Sequence, residues 1–520
     1  MNKTITKSPI LLLILDGWGI APESKANPIS QTPHPNYDRL QKESLSTRLW
    51  AHGEYVGLLK DQDGNSEAGH LNLGTGRIVR QESVVISNSI EDGTFDKNPA
   101  FFEAIQHVKR NKSAMHLIGM LSDGQSAHST PSHLYALLDL LYKEKVEKVF
   151  IHLFTDGRDS YIQGGMHQMK ELIKNLKNGE KIATVIGRFY AMDRKKEWQR
   201  TKIAYDMFTL GKGEKVEDPL EVFEKYYSKG KSDEFIGPHL ICENGNPIGI
   251  INNNDSIILF NHRSDRARQL TKVFVQEDFT KKNPGSFVLE KKINHLRFVA
   301  MSDFGPDLGD VLTAYPSTDI IDSLPIVLKE KRQLYMTEKE KYAHMTYFFN
   351  GGYQDPIGGE DRLMIPSPNV DSYDQDPEMS TPEINKMIIK FLQEKKYDFI
   401  AVNFACPDMV GHTGNFEAGQ EAIKAVDKAL GELMLEIKNS GAILIVTADH
   451  GNIEEMKDLL TGKIDTKHSK NQVPFFIWPV NQNFVELREE GVLGDVAPTI
   501  LDMFGIEKPY AMTCNSLFKR

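Results

Sequence analysis

The chain has 520 residues, more than one hydrophobic core usually supports, so two or three domains are expected. Its 62 basic and 72 acidic residues give a formal charge of −10, which excludes a general basic surface for nucleic acid or anionic membrane and leaves any anionic ligand to local arginines. Three cysteines, Cys242, Cys406 and Cys514, exclude a disulfide framework and fit a reducing compartment.

The N-terminal stretch "MNKTITKSPILLLILDGWG" superficially resembles a secretory signal. Its apolar run, Ile10 to Leu15, is too short for a signal core or a membrane span, and it reads as a buried parallel strand ending in Asp16. Next comes "DGNSEAGHLNLGTGR", whose Gly-Asn-Ser composition suits a turn, so Ser66 is either a turn residue or a reactive group. Apolar runs then alternate with amphipathic segments: "MHLIGML" with "SHLYALLDLLYKEK", and "KVFIHLF" with "GGMHQMKELIKNLK". The same rhythm continues through "KIATVIG" and through "DSIILFN" with "SDRARQLTKVF". Beyond residue 390, "DFIAVNF" leads into a helix of about 24 residues on which Ile423, Val426, Leu430, Leu433 and Ile437 share one face and Gly441 is the stop. The strand "AILIVTA" follows. This pattern predicts an α/β fold with parallel sheets covered by helices on both faces and function at the carboxyl ends of the strands.

Those ends carry Asp16, then Asp408 and His412 in "NFACPDMVGHTGN", Asp449 and His450 in "TADHGN", and His468 in "DTKHSKNQVPFFIW". One such residue is commonly a cap or a hydrogen-bonding group. Three acids and three histidines together repel or go unsatisfied unless cations sit among them, and carboxylate with imidazole and no thiolate suits Mn²⁺, Zn²⁺, Co²⁺ or Mg²⁺. A hydroxyl ligating such an ion becomes a nucleophile at neutral pH, which favours the reactive reading of Ser66. Because Asp16 and Ser66 come early and the other ligands follow residue 400, one metal domain has to be assembled from both ends of the chain around a large insertion. The inserted segment carries Arg158 and Asp159 in "LFTDGRDS", Arg188 and Arg194 in "IGRFYAMDR", and Arg263, Arg266 and Arg268 in "NHRSDRARQL". Singly these are surface ion pairs; repeated at strand ends they suit a phosphate or carboxylate gripped in bidentate fashion. His128 in "SDGQSAHSTPSHL" reads equally as a loop histidine or an acid/base group.

These motifs, with "KYAHMTYFFNGG", resemble the cofactor-independent phosphoglycerate mutases of the alkaline phosphatase superfamily from "LLILDGWG" to "DVAPTILDMFG". The resemblance implies an alkaline phosphatase-like metal domain, discontinuous in sequence (1–80 and 316–520), an inserted α/β substrate domain (83–304), and linkers at 77–82 and 305–315. It implies two divalent ions, Mn²⁺ first among them, with Asp16, Ser66, Asp449 and His450 on one and Asp408, His412 and His468 on the other. His128, Arg158, Asp159, Arg188, Arg194, Arg263, Arg266 and Lys341 are implied around the substrate, a phosphoglycerate. Ser66, Lys341 and Asp159 carry the implied chemistry: transfer to Ser66, retention of glycerate, a proton moved by Asp159, and return, with the inserted domain closing over the metal domain to exclude water. A cytoplasmic monomer with no nucleic-acid or membrane partner is expected.

Two departures stand out. Where the family reads Gly-Val-His-Ser-His after "SDG", this chain reads "QSAHST", one residue longer and without the second histidine; and Cys406 stands where asparagine is expected, read here as a small buried filler. The competing readings are a metallophosphatase or phosphopentomutase-like enzyme, and a metal-binding protein without turnover.

Overall fold

The structure is a computed structural model describing residues 6–124, 126–305, 307–308, 311–316, 320–458, 461–480 and 486–519. Gln125, the first residue of the "QSAHST" segment, and residues 306, 309 and 310 of the expected second linker lie outside the described residues, as do 317–319 just after it. The chain divides into two compact units, Met1–Gln81 with Asp319–Arg520, and Glu82–Thr318.

The first unit is built on an eight-stranded sheet in the order Asp361–Ile365, Gln333–Glu338, Phe399–Phe404, Ile10–Leu15, Ile443–Thr447, Val473–Trp478, Leu45–Trp50, Glu490–Val492. All six residues of Ile10–Leu15 are buried, and the strand pairs in parallel with Phe399–Phe404 and Ile443–Thr447. Such a central strand is covered on both faces and needs an unbroken apolar sequence, which is why the run looks like a signal segment. Each of its side chains contributes about 1.5–3 kcal/mol on burial. The helix Phe416–Ser440 packs against the helices Thr381–Gln393 and Pro35–Glu43 and the strand Ile443–Thr447, with Ile423, Val426, Leu430, Leu433 and Ile437 all fully buried; Asn415 caps its start by accepting from the Ala418 N–H.

The metal-domain sheet was expected to be rich in parallel strands, as it is, and Val473–Trp478 is its antiparallel member. It runs antiparallel to both Ile443–Thr447 and Leu45–Trp50. The reason is the connection: a parallel return needs a crossover, usually a helix, whereas the described residues between Thr447 and Val473 hold only the short turn Ile453–Glu455.

The second unit has its own sheet in the order Leu312–Tyr315, Arg297–Ser302, Ser256–Leu259, Met115–Leu121, Val149–Thr155, Lys181–Gly187, His239–Glu243, Glu214–Val216. The first six strands are mutually parallel, so their carboxyl ends form one edge. Among the described residues no helix is long and apolar enough to cross a membrane.

Candidate active site

In the first unit, Asp16 follows the Ile10–Leu15 strand, Asp408 lies in the helix Cys406–Gly411 after Phe399–Phe404, and Asp449 and His450 follow Ile443–Thr447. The parallel pairing of these three strands puts their ends side by side. Gly17 has φ +71°, and a Cβ there would come within 2.8 Å of the Asp408 Cβ, so the chain can leave the strand beside Asp408 only through glycine. Ser66 opens the helix Ser66–Thr75, whose cap is Asn65 accepting from the Ala68 N–H. That helix approaches Asp449 closely because Gly69 has no side chain; a Cβ would lie 2.5 Å from the Asp449 carbonyl oxygen.

Lys341 completes the cluster. Its Nζ donates to Asp16 Oδ1 at 2.6 Å, to Asp408 Oδ2 at 2.6 Å and to Ser66 Oγ at 2.8 Å, so its three protons are all used. Ser66 Oγ is also 2.9 Å from His450 Nε2 and donates weakly to Asp16 Oδ1 at 3.4 Å. Asp16, Asp408, Asp449 and His450 are essentially inaccessible to solvent, and Lys341 is 4% exposed. Burial and then the neighbouring Asp449 carboxylate push the Asp16 carboxyl up to about 7, with Lys341 opposing; burial disfavours the Lys341 cation, but Asp16, Asp408 and Asp449 outweigh it and hold the ammonium above its ordinary range. Three buried carboxylates share one lysine. That deficit of positive charge is what divalent cations would make good.

The histidine tautomers point the same way. His412 Nδ1 lies 2.8 Å from the Thr466 carbonyl and His468 Nδ1 lies 2.7 Å from the Gly64 carbonyl, so both donate there and both present Nε2 lone pairs. These two Nε2 atoms are 3.0 Å apart, and each is 3.3 Å from Asp408 Oδ1. Two lone pairs cannot bond to each other. A backbone-anchored Nδ1 with a free Nε2 is the usual posture of a metal-binding imidazole, so Asp408, His412 and His468 fit a divalent ion.

Asp16, Asp408 and His450 bring ligand atoms together as a second donor set beside Ser66; Asp449 lies next to it, with Oδ2 3.4 Å from His450 Nε2 and buried without a hydrogen bond among the described atoms. His70 also falls near Asp16 and Asp449, with its Nδ1 3.1 Å from Asp449 Oδ2. It holds no ion: Nδ1 donates to the Ser66 carbonyl at 2.9 Å and Nε2 accepts from Asn403 Nδ2 at 3.1 Å, leaving no lone pair.

In the second unit the sequence-selected residues sit at the common carboxyl edge. Arg188 is buried, with Nη1 between Asp156 and Asp159, the latter at 2.7 Å. Arg158 is exposed and 3.5 Å from Glu234, Arg194 donates to Asp265 Oδ2, and Arg263 Nε donates to Asp265 Oδ1 at 3.1 Å. Arg266 donates to the Met192 carbonyl at 3.3 Å; burial first, then Arg194, Arg188 and Arg158, disfavour its charge. Arg158, Arg188, Arg194, Arg263 and Arg266 thus stand against the four carboxylates Asp156, Asp159, Glu234 and Asp265, a surplus of one positive charge with Arg266 crowded by its neighbours, which suits an anion. His128 is buried, its Nδ1 4.0 Å from Asp265 Oδ1, and burial lowers it to about 4, so it is neutral at neutral pH. Arg268 is not in this group and pairs with Asp307.

The sequence pattern of the metalloenzyme superfamily matches residues 8–508. A 2,3-bisphosphoglycerate-independent phosphoglycerate mutase of Clostridium botulinum is 43% identical over 99% of this chain and 100% of its own, and one of Clostridioides difficile is 44% identical with the same coverage. The chain belongs to the 2,3-bisphosphoglycerate-independent phosphoglycerate mutases. A Leishmania mexicana phosphoglycerate mutase, crystallised at low cobalt concentration, shares the fold with a TM-score of 0.76 at 26% identity, covering 100% of this chain and 99% of that one. The α/β class with two largely parallel sheets agrees with membership in this family.

Several residues that build the mutase site escaped sequence reading. Asn403, at the next-to-last position of its strand, donates to Asp16 Oδ2 at 2.6 Å and so ties Asp16 to His70. Asn452 donates to Asp408 Oδ1 at 2.8 Å, and Glu454 accepts from the Asn452 N–H at 2.8 Å, from the Gly19 N–H at 2.9 Å and from Ser469 Oγ, joining three ligand-bearing loops. His70 and Asn452 stood inside the quoted motifs "DGNSEAGH" and "ADHGN". Nothing in local composition marks a residue that works through another. Cys406 is fully buried, receives the Thr381 hydroxyl at 3.2 Å and donates weakly to the Ala422 carbonyl, and burial pushes its thiol up to about 12, so it is an inert filler.

Proposed function

We propose that this mutase interconverts 3-phosphoglycerate and 2-phosphoglycerate through a phosphoserine on Ser66. The observation carrying this reading is the setting of Ser66 Oγ: at a helix N-terminus, 2.8 Å from a fully engaged lysine, and surrounded by two donor sets for cations. Asp16, Ser66, Asp449 and His450 would hold one ion and Asp408, His412 and His468 another, Mn²⁺ being the first choice. Divalent metal at these residues supplies a lowered hydroxyl pKa and neutralisation of phosphoryl charge.

Ser66, whose hydroxyl proton would pass to solvent once a bound cation lowers its pKa, attacks the phosphorus through Oγ, the bond from phosphorus to the 3-oxygen breaks, and the return transfer regenerates the same Oγ. Lys341 and the positive end of the Ser66–Thr75 helix stabilise charge on the equatorial oxygens. Asp159, a carboxyl that burial would raise but that Arg188, Ser126 and His128 hold below its ordinary value, takes the proton of the 2-hydroxyl and passes it to the departing 3-oxygen, so that the 2-oxygen can attack the phosphoserine. The second unit is the substrate domain in this reading, its arginines gripping the glycerate carboxylate between the two transfers. Conversion of 3- to 2-phosphoglycerate without added bisphosphoglycerate, lost on chelation and restored by Mn²⁺, tests the whole scheme; activity indifferent to chelation contradicts it.

The arginine grip separates a mutase from a phosphatase of the same superfamily. Arg194→Ala leaves Ser66 and the metal ligands untouched but removes a charge-assisted contact, costing about 2–3 kcal/mol, or about thirtyfold to a hundredfold faster escape of glycerate. Water then hydrolyses the stranded phosphoserine. Total turnover falls while inorganic phosphate released per 2-phosphoglycerate rises; an unchanged ratio would refute the grip.

Metal occupancy also sets a pH dependence. Burial opposes protonation of His412, but its hydrogen bond and charge interaction with Asp408 prevail and raise its pKa above the ordinary value, so protons compete for this ligand. Burial lowers His450 to about 3, so it stays neutral far longer. Acidification should therefore empty the Asp408, His412 and His468 set first, with activity falling below about pH 7 and excess Mn²⁺ moving the fall to lower pH. A profile insensitive to Mn²⁺ concentration would contradict this.

A further inference from the structure

The segment that departs most from the family pattern places a hydroxyl against the carboxylate assigned the proton transfer. Ser126 is 4% exposed, and its Oγ has both roles filled: it donates to Asp159 Oδ2 at 2.8 Å and accepts the His128 N–H at 3.3 Å. Because a carboxylate can only accept and an amide can only donate, the direction of both bonds is fixed. Arg188 Nη1 donates to the same Oδ2 at 2.7 Å. Asp159 Oδ1 accepts no hydrogen bond among the described residues.

The backbone beneath is equally constrained. Asp156 Oδ1 accepts the N–H groups of Asp159 at 3.1 Å and Arg158 at 3.3 Å, and also bonds Arg188. The charged and titratable groups facing Asp159 are Arg188, His128 and Asp156, with Arg158 adjacent in sequence and paired to Glu234. Ser126 is the neutral member of this set. It pins one oxygen without adding charge.

We infer that Ser126 is a positioning residue for Asp159: with Arg188 it fixes Oδ2, sets the carboxylate's rotation, and leaves Oδ1 as the oxygen that exchanges the proton with the 2- and 3-hydroxyls of glycerate. The inference rests on the acid/base role given to Asp159 above. No extra reactant is needed, since the proton that Asp159 delivers to the 3-oxygen is the one it takes from the 2-hydroxyl, and the Ser126 hydroxyl stays intact throughout. Its hydrogen bond favours the ionised carboxylate, so removing it raises the pH at which Asp159 titrates. Below that pH Asp159 keeps its proton and cannot accept the one on the 2-hydroxyl, which gives the kcat profile an acid limb of its own, read at Mn²⁺ concentrations that move the loss of metal to lower pH.

The test compares Ser126→Ala, Ser126→Thr and Asp159→Asn with the wild-type holoenzyme at saturating Mn²⁺. Ser126→Ala should lower kcat about tenfold with KM within about twofold, and move the acid limb up by about one pH unit. Ser126→Thr, which keeps the hydroxyl, should restore both. A Ser126→Ala enzyme with wild-type kcat and limb overturns the inference, as does a loss of kcat with an unmoved limb or one that threonine fails to restore, because either means packing alone. Asp159→Asn separates the two claims: if it retains activity within about tenfold of wild type, the acid/base reading of Asp159 falls whatever Ser126 does.

Discussion

Ser66→Ala is expected to reduce mutase activity by at least about a thousandfold while leaving the fold intact. Among the described residues no other hydroxyl is placed to replace it: Ser66 Oγ receives Lys341 Nζ at 2.8 Å and faces His450 Nε2 at 2.9 Å. The fold should survive because the helix start does not depend on this side chain. Asn65 supplies the cap, the Ser66 carbonyl rather than its hydroxyl receives His70, and alanine is a good helix former at the first position. Lys341 then keeps two of its three acceptors, Asp16 and Asp408, so the buried charges remain paired. The measurement is conversion of 3-phosphoglycerate beside a thermal melt and a metal titration. A variant within about tenfold of wild-type activity would remove Ser66 as nucleophile, and a collapsed melt would mean that the hydroxyl serves structure.

Lys341→Met should have the other large effect, on both activity and stability. In the proposed mechanism, losing the ammonium that stands 2.8 Å from Ser66 Oγ costs about a hundredfold to a thousandfold in kcat. The stability effect comes from what lysine leaves behind. Asp16, Asp408 and Asp449 would remain buried without their cation, and breaking a buried pair by removing one partner costs about 3–5 kcal/mol. The sign of the pH dependence follows from the carboxylates. Asp408 is a carboxyl that burial alone would raise but that Lys341, with His412 and His468, holds well below its ordinary value; that stabilisation is present above the unfolded carboxylate range and lost as pH falls. Removing Lys341 thus narrows the gap between variant and wild type in acid and widens it at neutral pH. In chelator the variant should denature earlier than wild type, and Mn²⁺ should shrink the difference because the added cation meets the same carboxylates. Equal denaturation midpoints in chelator at neutral pH would show that the three acids do not depend on this lysine.

Much of the site was readable from sequence because its residues sit where apolar runs stop. A strand buried on both faces must be apolar throughout, so the first acid after Ile10–Leu15 is conspicuous, and Asp408, Asp449 and His450 stand out for the same reason after Phe399–Phe404 and Ile443–Thr447. The strands of the second unit likewise exposed Arg158, Asp159 and Arg188 at their ends. Lys341 was different. It lies in "TEKEKYAHM", where composition alone describes a solvated charge run, and only the resemblance to a family singled it out; the fold buries it among three acids more than 65 residues away in sequence or further.

The sequence by itself determined the α/β class, the assembly of one unit from both ends of the chain, and the identity of the groups able to bind metal, because hydrophobic patterning and residue chemistry are local properties. Tertiary structure alone decided how those groups are used. It made Val473–Trp478 antiparallel and so brought His468 to within 3.0 Å of His412; it spent both nitrogens of His70 on Ser66 and Asn403, so that a histidine beside two aspartates holds no ion; and it set Ser126 on Asp159. Each of these depends on which lone pair or proton faces which neighbour across tens or hundreds of residues. Hydrogen bonds have direction and range of a few ångströms, and neither is written in the order of the residues.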